Sequence, residues 1–137
     1  MSEKINLWVF CAPRDREFAE MLANKMRADI HNITVRTSDS LEGYPGEPRW
    51  AADINPVDIV LVILSESVLG GWFVDYTVDA VNRTKNLLIL LRMANVNVPA
   101  LLTGYEHYDF SDETRFDQTY KQLLRRIQLI LNDRETT

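Results

Sequence analysis

Hydrophobic positions along the chain switch between two periods, and the switch repeats from end to end. The run Val57-Asp58-Ile59-Val60-Leu61-Val62-Ile63-Leu64 is almost unbroken in apolar and β-branched residues. A strand with one wet face alternates, so a continuous run of this length predicts a strand covered on both faces, as in a parallel sheet. Ile5 to Cys11 and Leu87 to Leu91 predict further strands of this kind, Ile33 to Val35 a short one, and the alternating Tyr105 to Phe110 an edge strand. Between them the period lengthens to that of a helix. Asp15 stands where it can cap a helix begun by Arg16-Glu17, in which Phe18, Met21, Leu22 and Met26 form one apolar stripe. A second helix is expected from Trp72 through Val81, with apolar residues on two sides. A third follows Ser111, whose hydroxyl is the expected cap, and carries Phe116, Tyr120, Leu123, Leu124, Ile127 and Leu131 on one stripe. The residues from Asn132 onward are polar and are expected to fray.

Strands alternating with helices predict an α/β fold, a five-stranded parallel sheet with helices on both faces. At 137 residues, without linker or repeat, the whole chain from 1 to 137 reads as one domain. Thr37 to Pro48 is the longest stretch without periodicity, and Gly43, Pro45, Gly46 and Pro48 place it in a loop. Arg49 to Ile54 is expected to form about one helical turn, stopped by Asn55-Pro56. Ligands of open α/β sheets sit beyond the carboxyl ends of the strands. Candidate chemistry is therefore sought at Phe10 and Cys11, at Ser38 and Asp39, and around Trp72.

Charge and cysteine usage narrow the classes. A net charge of −5 repels phosphate at long range and argues against a general binder of DNA, RNA or anionic membrane. The single cysteine, Cys11, excludes an internal disulfide framework and a cysteine-built zinc site, and no metal site is expected. No apolar run approaches the length of about 20 residues that crosses a bilayer, and no signal-peptide pattern opens the chain, so a cytoplasmic setting is expected. Nucleotide-binding glycine loops and Ser/His/Asp or HExxH signatures do not occur.

The order of short motifs resembles one family. Arg14-Asp15-Arg16-Glu17-Phe18-Ala19, after the first strand, is similar to the K-D-x-x-F-A opening of many bacterial Toll/interleukin-1 receptor (TIR) domains. Asp39 to Gly46 resembles that family's BB loop. Asp58 to Ser65 followed by Trp72 is similar to its S-D-x-x-L-x-x-L-S … W block. Val98-Pro99-Ala100-Leu101-Leu102 and Tyr108-Asp109-Phe110 resemble its tail. The resemblance spans nearly the whole chain and implies a flavodoxin-like TIR fold. It implies one of two functions. Some TIR domains assemble with one another through the BB loop; others cleave NAD at the nicotinamide–ribose bond. The enzymes carry W-x-x-x-E, whose carboxylate holds the ribose and stabilises an oxocarbenium-like centre.

Counted from Trp72, the glutamate position holds Tyr76. Asp75 lies about 100° around the helix from it, and Asp79 one turn further on. The leading expectation is a signalling and assembly module of a bacterial nucleotide-based defence or signalling system. It would contact other TIR domains, as a homo-oligomer, through Ser38, Asp39, Leu41, Gly43, Tyr44, Pro45 and Gly46. No cofactor is expected. The alternative is an NAD nucleosidase with an altered site, NAD being its substrate, using Asp75, Tyr76 or Asp79 as catalytic groups and Phe10, Cys11, Ser38, Asp39 and Trp72 as ligand contacts. A deoxyribosyltransferase-like enzyme is a third class. Each candidate has a plainer reading beside the functional one: Asp39 as a turn cap, Trp72 and Tyr76 as packing residues, Asp75 and Asp79 as a solvated face, and Cys11 as a small buried hydrophobe.

Overall fold

The computed structural model describes residues 5–11, 13–38, 58–65, 87–93, 96–98 and 102–136. Five strands are β1 (Ile5–Phe10), β2 (Ile33–Ser38), β3 (Ile59–Leu64), β4 (Leu87–Arg92) and β5 (Glu106–Asp109). Two helices are α1 (Arg16–Asp29) and α2 (Phe116–Thr136), each entered through a 3₁₀ turn, Pro13–Asp15 and Glu113–Arg115. The strands form one parallel sheet in the order β2-β1-β3-β4-β5. The chain thus leaves β1 to one side for β2 and returns to its other side for β3. In open α/β sheets such a reversal of strand order marks the end of the sheet where ligands sit.

The near-continuous apolar runs have the expected cause. On one face Leu7, Val9, Leu61, Ile63, Ile89 and Leu91 pack into a core with Ala19, Leu22, Ala23 and Met26 of α1 and Leu123, Ile127 and Leu131 of α2. Alanines at 19 and 23 let α1 lie close to the sheet. On the other face Trp8, Phe10, Val60, Val62, Leu88 and Leu90 are buried as well, so the central strands are covered on both sides. At one end of the helical layer Phe18 meets Phe110 and Phe116 edge-on, with centroids 5.8 and 6.1 Å away. Asp58, the polar residue in the third strand's apolar run, accepts the Asn6 N–H on its carboxylate at 2.8 Å and donates its own N–H to the Asn6 carbonyl at 2.8 Å. It pins the start of β3 to β1.

Local expectations differ from the structure at several points. β2 continues three residues past Val35, because Arg36, Thr37 and Ser38 keep register with Trp8, Val9 and Phe10. Backbone pairing, not side-chain hydrophobicity, sustains that part of the strand. Met21 is 38% exposed and outside the α1 stripe, its place taken by Ala19 and Ala23. Asp15 occupies the N-cap position of α1 but makes no side-chain capping bond. Ser111 is not the cap of the last helix: Asp112 Oδ1 accepts the Thr114 N–H at 2.9 Å and the Thr114 hydroxyl at 2.6 Å, and so caps the 3₁₀ turn that leads into it. Ser111 instead donates its N–H to Asp109 Oδ1 at 2.9 Å. The helix itself runs past Asn132 to Thr136. The turn expected over Arg49–Ile54 and the helix expected from Trp72 lie outside the described residues.

Loss of the Asp112 cap should be measurable. Asp112→Ala should lower stability, read as a lower urea midpoint at unchanged slope. Ser111→Ala should change it by less, and the reverse order would make Ser111 the more important of the two.

Candidate functional site

The carboxyl ends of β1 and β2 meet the first turns of α1 around a cavity of about 360 Å³. Cys11, Arg16, Ala19, Glu20 and Thr37 line it. Cys11 is delivered by the last step off β1 and is only 1% exposed. Arg16 and Glu20 are four apart on α1 and so project from one side of it. Thr37 comes across from β2, and its hydroxyl donates to Glu20 Oε1 at 2.6 Å. The bond holds the Glu20 carboxylate beside the cavity, which Arg16 and the Cys11 thiol also line.

Two oxygens at the same end of the sheet are buried and find no hydrogen-bond partner among the described residues. They are Asp15 Oδ2, after β1, and Ser65 Oγ, after β3. These are the two strands that flank the reversal. An unmet buried polar group costs about 1–3 kcal/mol, so such atoms collect where a ligand or ordered water completes the network.

The candidate residues separate in space. Cys11 lines the cavity. Phe10 is fully buried on the opposite face of the sheet, its ring 4.8 Å from that of Trp8. Ser38 is the last residue of β2, in register with Phe10. Asp39, Leu41, Gly43, Tyr44, Pro45, Gly46, Trp72, Asp75, Tyr76 and Asp79 lie outside the described residues. Arg16, Glu20 and Thr37 escape sequence reading. Arg16 and Glu20 look like any solvated helix face, and Thr37 is 17 residues from its partner.

A second polar region joins β4, β5 and α2. Arg92, at the end of β4, donates through Nε to the Val96 carbonyl at 2.7 Å and pairs with Asp109 at 3.1 Å. The Ser111 hydroxyl and amide, aided by Arg92, hold the Asp109 carboxyl below its ordinary range. A cavity of about 420 Å³ lies alongside, between Asp109, Asp112, Arg115 and Gln118.

With the sheet order and the cavity at the carboxyl ends of β1 and β2 established, the comparisons decide the family. The sequence profile of the TIR domain matches residues 9–124, most of the chain. The chain belongs to the TIR-domain family. No curated protein matches it. Among solved structures it is similar to the TIR domain of the Toll-related receptor TRR-2 from the lower metazoan Hydra magnipapillata. The two superpose with a TM-score of 0.64 at 20% identity, over 89% of this chain and 97% of the other. At that identity the likeness concerns the fold, which is the TIR architecture that the motif resemblance implied and whose parallel sheet the strand pattern predicted. Among the described residues of this TIR domain, no helix is long and apolar enough to cross a membrane.

Proposed function

We propose that this TIR domain is a signalling and assembly module that works through contacts with other TIR domains, in a bacterial nucleotide-based defence or signalling system. The observation that carries the reading is Tyr76, which stands four residues after Trp72 where the NAD-cleaving members of the family have glutamate. A phenol cannot offer the carboxylate charge that steadies an oxocarbenium-like centre. The contact element is the loop from Ser38 to Gly46, with Tyr44 and Pro45 at its centre. β2 ends at Ser38, so the loop departs from an edge strand beside the cavity. Such a module needs no cofactor, and its partners are further TIR domains, its own copies included.

A second reading, an NAD nucleosidase with an altered site, draws support from the cavity and from the unmet oxygens of Asp15 and Ser65 at the same end of the sheet. Asp75 or Asp79 would then supply the charge beside Trp72. One experiment separates the two. Concentrated protein is incubated with NAD, and nicotinamide and ADP-ribose are followed by chromatography, with Tyr76→Glu in parallel. The assembly reading expects no nicotinamide from the unaltered chain, and concentration-dependent oligomers in sedimentation that Tyr44→Ala or Pro45→Ala dissolves. Turnover in the unaltered chain, abolished by Asp75→Ala or Asp79→Ala, would instead establish the enzyme.

A further inference from the structure

The sheet has two edges, and that of β2 carries a feature its sequence does not announce. Ile5 donates its N–H to the Asn32 carbonyl at 3.0 Å, which sets the phase of the β1–β2 ladder. In a parallel pair only alternate residues of a strand bond to the neighbour. Asn32, Thr34, Arg36 and Ser38 therefore turn their backbone groups toward β1. Ile33, Val35 and Thr37 turn theirs to the open edge, where their N–H groups have no partner among the described residues. The middle carbonyl of that edge is covered. Arg27, on the last turn of α1, donates through Nη2 to the Val35 carbonyl at 2.8 Å, and its Nη1 donates to Asn24 Oδ1 at 2.9 Å. A charged side chain laid across an edge is a known way of keeping strands from pairing.

We propose that the open edge of β2 is a self-association surface, on which β2 of a second copy pairs antiparallel about a two-fold axis at Val35, and that Arg27 is the latch that sets its strength. The edge is self-complementary about that axis. Val35 faces Val35 and Ile33 faces Thr37, each pair exchanging its outward N–H and carbonyl groups. On the other face of the strand Arg36 meets the partner's exposed Thr34, not the partner's Arg36, so like charges are not opposed. Arg36 is in addition held over the Trp8 ring, 4.6 Å from its centroid, away from the axis. Among the described residues, only the Arg27 guanidinium, present on both copies, occupies the place of the incoming strand at the Val35 carbonyl. This surface is distinct from the loop of the preceding section and does not depend on that reading.

Sedimentation velocity of the full chain over a concentration series tests it. Arg27→Ala should tighten the dimer by about 30-fold, the effect of freeing one charge-assisted bond in each copy. Adding Thr34→Lys, an exposed change that sets lysine against Arg36 across the axis, should weaken the Arg27→Ala dimer at least about 5-fold, and Thr34→Glu should strengthen it. In the dimer the amides of Ile33, Val35 and Thr37 should slow in hydrogen exchange, while those of Thr34 and Arg36, already bonded to β1, stay unchanged. An Arg27→Ala chain no more associated than the unaltered one overturns the proposal, and so does a dimer indifferent to both Thr34 changes. A dimer that Tyr44→Ala dissolves and Thr34→Lys does not would overturn the edge and leave the loop contact standing. Circular dichroism of each variant confirms that it is folded.

Discussion

Trp8→Ala should cost about 3–5 kcal/mol and lower the melting temperature by about 10–15 °C. The indole is fully buried in β1, an interior strand that pairs with β2 on one side and β3 on the other. It packs against Phe10 at 4.8 Å and carries the Arg36 guanidinium on its face at 4.6 Å. Truncation removes the largest fully buried side chain among the described residues and leaves a void that close-packed neighbours fill only in part. Arg36→Ala isolates the cation–π component and should cost no more than about 1 kcal/mol. Denaturant melts of the two variants at equal slope give the comparison. Equal losses in both would mean that the ring is held by its cation and not by the core.

Raising the pH should destabilise the fold through two tyrosines. Tyr120 is buried on α2, and its hydroxyl donates to Asp29 Oδ2 at 2.7 Å, tying α2 to the end of α1. Burial first, and then the bond to and charge of Asp29, raise its pKa. Lys25 lies over the same ring, 5.3 Å from its centroid. Tyr108 on β5 donates to Glu106 Oε2 at 3.0 Å, and Arg126 binds the same carboxylate at 3.0 Å. Burial, then Glu106, push the Tyr108 phenol up from 10.0 to about 12, against the opposing pull of Arg126.

The native state therefore keeps protons that the unfolded chain gives up near pH 10. Below that the two states bind equally and the contribution is whole; above it stability falls until the folded groups titrate in turn. The Tyr108 share is on the order of 1–2 kcal/mol after allowance for its partial contact with water, and Tyr120 adds to it. Urea unfolding between pH 9 and pH 12, in roughly half-unit steps, should show the loss. The Tyr108→Phe, Tyr120→Phe double variant should be less stable near neutrality and lose less with rising pH. A pH slope the same as that of the unaltered chain would assign the alkaline loss to other groups.

Of the candidate site residues, Cys11 lines the cavity, Phe10 does not, and most of the others lie outside the described residues. Cys11, the first residue after β1, stands at the carboxyl end of the sheet, where ligands of open α/β sheets sit. Phe10 faces the other way, since neighbouring side chains on a strand point to opposite faces. Glu20 and Thr37 were not legible. Their bond depends on how close α1 comes to β2, which the small side chains of Ala19 and Ala23 permit and local propensity does not specify. Asp15 reads as a cap from its residue type alone, yet it makes no side-chain capping bond and one of its carboxylate oxygens is buried.

What the amino-acid order determined by itself is the architecture. Apolar runs too continuous for a half-wet strand, alternating with stripes of helical period, admit few solutions other than a parallel sheet covered on both faces. The motif order from Arg14 to Phe110 was enough to point to the TIR family. What only the tertiary structure decided is everything that hangs on distance between segments remote in sequence: the extension of β2 by pairing with β1, the choice of Asp112 over Ser111 as the cap, the Tyr120–Asp29 tie, and the Arg27 latch on Val35. Periodicity reports which face of a segment is buried. The partner of a particular polar atom follows from three-dimensional proximity, which no single segment encodes.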